Sequence, residues 1–353
     1  MTDISLHPSA RGWAWHGVAE WQADDGVTRP WRISQALTST AHNEHFSHRV
    51  RTPAGVRAEV VTDATSLTVA GALGPGTGET RPGVIDVVVD GVLHSRLTVP
   101  QPGPGALAEV ADVVALPAGP KRLEAWLPHT EVFGLREITL RGVTTAEAPP
   151  ARPRWLSYGS SITHCAEACG PTETWPALVA RSLGLDLYGL GLGGQCHLDH
   201  AVERTIADQP LDFLSLCLGI NIYGRGSFDE RSLGSALHGF LDRTLRAHPG
   251  IPVLVMSPIC APLLEDTLNR ADLTLGAVRD TVRRVAAAID DPRLTYLDGR
   301  EVLGANDAAQ HLGSDQLHPT ADGYRLMAER LAPRLAAAFG LRPTADDPAG
   351  SRR

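Results

Sequence analysis

Two short polar stretches carry the residue types of acyl-transfer chemistry. "GSSIT" at 159–163 sets the hydroxyls of Ser160 and Ser161 just past an apolar run. "DQLH" at 315–318 puts a carboxylate one turn ahead of an imidazole. A serine hydroxyl is a weak nucleophile near pH 7 unless a base stands within hydrogen-bond reach. His318 suits that base, and Asp315 is close enough to orient its ring and stabilise the imidazolium. Attack on a carbonyl also needs donors aimed at the developing oxyanion. A serine N–H at a helix start, a glycine N–H and an asparagine amide meet that need, and Ser161, Gly194 and Asn221 supply them.

Distant residues meet only if the fold brings their loops together. From residue 154 onward, apolar runs alternate with helical patterns: "RWLSY" with "TWPALVARSLG", "LDLYGL" with "LDHAVERTIAD", "LDFLSLCLG" with "ERSLGSALHGFLDRTLRAH". "IPVLVMS" and "RLTYLD" complete the series, each followed by another long helical pattern. Trp175, Leu178, Val179 and Leu183 fall on one face at three- and four-residue spacing. Five strands alternating with helices predict a parallel sheet covered on both faces. Ligands bind such sheets beyond the carboxyl ends of the strands. "GSSIT" follows the first strand, "GLGLGGQC" the second and "GINIYG" the third, while "SDQLH" comes after the fifth. Four loops on one sheet edge are therefore expected to converge.

Taken together, the motifs resemble the SGNH (GDSL-type) hydrolases over roughly residues 153–340. The first block matches Gly159-Ser160-Ser161-Ile162-Thr163, which implies Ser161 as nucleophile. The second block's glycine matches Gly194, with Gly191 and Gly193 competing as turn residues. Gly219-Ile220-Asn221 matches the third block, and Asp315-Gln316-Leu317-His318 the last. Two positions depart from the family pattern: Ser160 stands where aspartate is usual, and Gly189 where the second block's asparagine is expected. Thr163 fills the last position of a Gly-x-Ser-x-Gly elbow, which disfavours a standard α/β-hydrolase. The resemblance implies a flavodoxin-like three-layer α/β/α domain that needs no cofactor or metal.

Residues 1–143 have a different rhythm. "VRAEVVTD", "SLTVAG", "KRLEAWLP" and "LREITLRGV" read as short strands, and Asp90-Gly91 between two apolar runs is a hairpin signal. Few helical patterns interrupt them, so a β-sandwich of jelly-roll type is expected. Glu124 and Trp126 are assigned to its core rather than to a sugar platform. The proline-rich segment 144–153 reads as a linker, 154–340 as the catalytic domain, and 341–353 as a disordered tail. The layout is similar to carbohydrate esterases that join a small sandwich to an SGNH domain.

Composition narrows the partners. The chain of 353 residues has 43% hydrophobic and 20% charged residues, a net charge of −8 and one lysine, Lys121. That balance opposes nucleic-acid binding, which clustered basic residues drive. No apolar run approaches the ~20 residues of a membrane helix, and no secretory signal is visible, so a cytoplasmic location is expected. His164, Cys165, Cys169, Cys196, His197 and His200 lie near the presumed site but match no common zinc spacing. Buried free cysteines are expected ahead of a bridge from Cys165 or Cys169 to Cys196, and His197 and His200 are assigned to packing ahead of the substrate pocket. The expected activity is hydrolysis of a carboxylic ester, with a short acyl group on a sugar or polyol. The alternatives are an acyltransferase or tailoring esterase acting on a natural product, or a lipase-like esterase. A catalytically idle carbohydrate-binding protein is disfavoured by the intact Ser, Gly, Asn and His set.

Overall fold

The computed structural model describes residues 2–8, 12–24, 26–74, 82–100 and 106–341. The expected tail lies, past Leu341, outside the described residues.

Alternating apolar residues in the first half close two antiparallel sheets over one core. One sheet runs in the order Glu20–Asp24, Val27–Trp31, Phe133–Val143, Ser66–Leu73, Ala108–Ala115, and Thr2–Ser5 also pairs with Phe133–Val143. The other runs Ala146–Glu147, Arg57–Thr62, Lys121–Trp126, Gly83–Val89, Val92–Val99, and Ala14–His16 joins Arg57–Thr62. Val60, Val87 and Leu123 from one sheet meet Leu67, Val69 and Leu140 from the other, all buried. The hairpin forms at Asp90-Gly91, where φ is 49° and 80°, the pair of positive angles a tight turn between twisted strands requires. The segment 144–153 is bound to the sandwich rather than free: Ala146–Glu147 pairs with Arg57–Thr62, and Arg152 donates to buried Glu59 at 2.6 Å.

The second half forms a five-stranded parallel sheet in the order Asp186–Gly191, Arg154–Gly159, Phe213–Cys217, Val253–Met256, Leu294–Leu297. Helices Trp175–Ser182 and Ala321–Ala338 pack together, as do His200–Asp208, Glu230–Ala247 and Leu275–Ala288 in series, as expected for a sheet covered on both faces. Strand order reverses at Arg154–Gly159, and such a switch point opens a crevice at the carboxyl ends.

The two domains share an interior. Trp31, Ile33, Phe46, Val50, Val88 and Trp126 of the first half belong to the same buried cluster as Trp155, Leu187 and Tyr188 of the second. Trp126 is thus core, as expected, but core of the junction. Its indole donates to Glu124 at 2.7 Å, and the Arg57 guanidinium lies 4.8 Å from its ring centroid. Arg32, 0% exposed, donates to the carbonyls of Gly189 and Gly191, each at 3.0 Å, and to that of Arg49. Gly189 sits inside a strand under the sandwich, where a Cβ would lie 2.9 Å from the Ala54 carbonyl oxygen. Glycine at this position serves the domain junction rather than the active-site loop.

Candidate active site

Ser161 opens the short helix Ser161–His164, directly after the first strand of the parallel sheet. Ser160, in place of the usual aspartate, caps that helix: its hydroxyl accepts from the Ile162 N–H at 3.2 Å. Capping satisfies one of the helix's orphan donors and leaves Ser161 facing the crevice.

The residues from 315 to 318 fold back onto this point. His318 Nε2 lies 2.8 Å from Ser161 Oγ, and His318 Nδ1 lies 2.6 Å from Asp315 Oδ2. Asp315 Oδ1 accepts from the backbone N–H of Leu317 and of His318, both at 3.0 Å. The turn closes with Gln316 at φ 54° and with the Gly313 N–H donating to the His318 carbonyl at 2.7 Å. Partial burial opposes the Asp315 charge, but hydrogen bonds from the His318 ring and the two backbone amides hold its carboxyl below the usual range. Asp315 is therefore ionised at neutral pH and able to orient the ring through Nδ1.

Three residues that line the crevice, Ser161 among them, carry N–H groups with no protein acceptor among the described residues. Gly194, with φ 70°, holds a backbone angle that side chains other than glycine rarely adopt. Asn221 accepts the Cys196 N–H on its Oδ1 at 3.1 Å, which turns its amide NH₂ away from that loop. Among the described residues, the Ser161 N–H, the Gly194 N–H and the Asn221 amide donate to no protein acceptor. Ser161, Gly194, Asn221 and His318 line one cavity of about 370 Å³. Such an arrangement can carry a serine through nucleophilic attack and hold an oxyanion.

Two other histidines near the crevice, His197 and His164, are held by protein contacts and do not line the cavity. His197 is bound by both ring nitrogens, at 3.1 Å to the Gly194 carbonyl and 2.9 Å to Ser227 Oγ. It stands behind the loop that carries Gly194, half-buried and outside the cavity lining. His164 is buried and bonds the His129 carbonyl through Nε2. Cys165, Cys169, Cys196, Cys217 and Cys260 are free thiols, so neither candidate bridge to Cys196 forms.

The sandwich domain also reaches the cavity, through residues that no sequence motif singles out. Helix Glu44–Arg51 contributes His45, His48 and Arg49 to its wall. Burial, aided by the neighbouring Arg49 and Arg51 charges, pushes His48 down to about 4, so its ring is neutral. The sequence did carry a faint signal: Asn43 caps the helix by accepting from the Phe46 N–H, and Phe46 and Val50 form a buried four-residue pair.

Fold and site define an enzyme that hydrolyses esters or transfers acyl groups. Residues 157–326 match the GDSL-like lipase/acylhydrolase family, and residues 13–136 match the SsfX3 N-terminal domain. The chain is similar to the solved structure of the salicylyl-acyltransferase SsfX3 from a tetracycline biosynthetic pathway. The two share 31% identity over 97% of this chain and 99% of that one, with a TM-score of 0.85. A family two carbohydrate esterase from Cellvibrio japonicus shares the fold at 16% identity, 96% and 99% coverage and a TM-score of 0.64. An acetyl xylan esterase from the rumen bacterium Butyrivibrio proteoclasticus does so at 12% identity, 96% and 99% coverage and a TM-score of 0.62. No curated protein sequence matches. The chain belongs to the GDSL-like lipase/acylhydrolase family, with an SsfX3-type N-terminal domain.

Proposed function

We propose that this enzyme cleaves a carboxylic ester through an acyl group carried on Ser161. His318 takes the Ser161 proton as the hydroxyl attacks, then returns it to the departing alcohol. Asp315 fixes the tautomer with Nε2 free to accept and stabilises the imidazolium. The Ser161 and Gly194 N–H groups and the Asn221 amide hold the tetrahedral oxyanion. Water, activated by His318, releases the acid. The observation that carries this reading is the unbroken chain from Asp315 through His318 to Ser161, at 2.6 and 2.8 Å. Replacing Ser161 with alanine is expected to reduce turnover of p-nitrophenyl acetate by at least ~10³-fold, and undiminished turnover would refute the assignment. The proposed substrate is an ester of a sugar or another polyol.

A second reading, transfer of the acyl group to a hydroxyl acceptor, is favoured by the 31% identity to an acyltransferase across nearly the whole chain. The cavity of about 370 Å³, walled by both domains, is also larger than an acetyl group needs. Product analysis with a polyol present separates the two: a new ester supports transfer, and free acid alone supports hydrolysis.

A further inference from the structure

The charge of the cavity contrasts with that of the chain. The protein carries a net charge of −8, yet among the described residues no aspartate or glutamate lines the cavity, while Arg49 and Arg225 do. Arg49 is half-buried and comes from the sandwich domain. Its side chain lies against Gly193, next to the oxyanion-side Gly194: a Cβ at Gly193 would sit 3.5 Å from Arg49 Nε and 3.7 Å from Cζ.

Buried arginines elsewhere in this molecule spend their donors on protein. Arg32 binds three carbonyls, Arg57 binds Asp186 and the Leu187 carbonyl, and Arg279 binds Glu265 and the carbonyls of Pro258 and Ile259. Arg49 differs: among the described residues its guanidinium donates no hydrogen bond. Glu131 and Glu167 act on it electrostatically and help keep it charged against burial, but neither lines the cavity. A guanidinium presents a planar fork of N–H groups matched to carboxylate and phosphate oxygens. Holding it half-desolvated with those donors unspent is costly unless something else accepts them.

We propose that the cavity takes a substrate bearing an anionic oxygen group, a carboxylate or a phosphate, seated on Arg49 with Arg225 at the rim. The proposal rests on the acyl-enzyme reading above and adds the substrate class. With the ester carbonyl at Ser161, the anion lies on the Gly193 side. The apolar part of the substrate rests on Ile220, Leu264 and Leu317 across the cavity.

The test compares the p-nitrophenyl monoester of adipic acid with its methyl ester, two substrates with one leaving group that differ in a carboxylate. Wild type is expected to favour the anionic ester in kcat/KM by about tenfold or more at low salt, mainly through KM. Arg49→Gln should bring that ratio near one, Arg49→Lys should keep part of it, and Arg225→Gln should lower it by less. A wild-type ratio near one, or a ratio unchanged in Arg49→Gln, overturns the proposal. An equal fall in kcat for both esters does so too, since Arg49 would then act on the oxyanion alone.

Hydrolysis of the neutral ester that depends on Ser161 keeps the acyl-enzyme reading standing whichever way the ratio falls. If wild type turns over neither ester, a fluorophosphonate probe reports on both readings. Failure to label Ser161 removes the acyl-enzyme reading. Protection of that label by adipate or phenyl phosphate, lost in Arg49→Gln, supports the anion site, and the better protector identifies the anion. Absence of protection by either overturns it. Should Arg49→Gln fail to fold, by circular dichroism, the ratio in Arg49→Lys and Arg225→Gln decides.

Discussion

The Cys196 backbone N–H donates to Asn221 Oδ1 at 3.1 Å, joining the loop after the second strand of the parallel sheet to the helix after the third. A primary amide has one acceptor end and one donor end. Occupying the acceptor with Cys196 leaves the donor unspent on protein, in a side chain that lines the cavity with Ser161 and Gly194. Asn221→Asp keeps the acceptor and removes the donor. It is expected to lower kcat by ~10²- to 10³-fold with little change in urea midpoint, as measured on p-nitrophenyl acetate. A variant as active as wild type would remove Asn221 from the oxyanion site.

His197 holds the Gly194 carbonyl and is itself held by Ser227. Removing the two ring nitrogens frees the loop without touching the reacting atoms. His197→Phe is expected to lower kcat by about tenfold while KM stays within twofold, because donors misplaced by a fraction of an ångström lose transition-state stabilisation first. Steady-state kinetics on one ester checks this, and a pure KM effect would place His197 in substrate binding instead.

Arg32 connects the domains with no exposed surface of its own. Burial pushes its guanidinium down to about 9, and it stays charged at neutral pH while donating to Gly189, Gly191 and Arg49. Arg32→Met strands three carbonyls and is expected to cost roughly 3–5 kcal/mol of stability, read from the urea midpoint. The loss should be cooperative, since the contacts belong to both domains.

Acid should loosen the same junction. The His16 ring lies 3.2 Å from Glu59 and 2.8 Å from Asp186, and Arg57 reaches Asp186 at 2.8 Å. Burial alone would raise the Glu59 carboxyl, but the His16 ring, Arg152, Arg57 and Arg122 overcome it and hold it at about 2, against an ordinary value of 4.5. Asp186 is also depressed, with burial overcome by His16, Arg57 and Arg154. A carboxylate whose pKa is lowered on folding stabilises the fold above its unfolded value and ceases to do so as pH falls through the folded one. Stability is therefore expected to drop between about pH 4.5 and 2, with Glu59 contributing on the order of 3 kcal/mol. Glu59→Gln should flatten that part of a urea-midpoint-versus-pH curve, and an unchanged slope would count against the account.

What was legible in the sequence was what repeats or stands at fixed spacing. The alternation of apolar runs and helical patterns located the five parallel strands, and Asp90-Gly91 located a hairpin, because each rests on local backbone preference. The site residues from Ser161 to His318 stand in short blocks of distinctive residue types, each following a strand of the parallel sheet. Helix Glu44–Arg51 escaped because "EHFSHRVR" has two buried apolar residues, Phe46 and Val50, among charged and imidazole side chains. That is too thin a stripe to stand out, and its helical state depends on packing against the other domain. The junction role of Trp126 and Gly189 is hidden for the same reason: it joins residues more than a hundred positions apart, as Arg32 does with Gly189, and no local pattern encodes it.

Two domains that drew on separate interiors could be cut apart, exchanged between relatives or melted one after the other. Here Phe46 and Trp126 on one side and Trp155 and Tyr188 on the other fill a common interior. Calorimetry should therefore trace a single peak, and a fragment begun at the first parallel strand would meet solvent with a greasy flank it was never shaped to wear. For anyone recombining such enzymes, the inheritable piece is the whole pair.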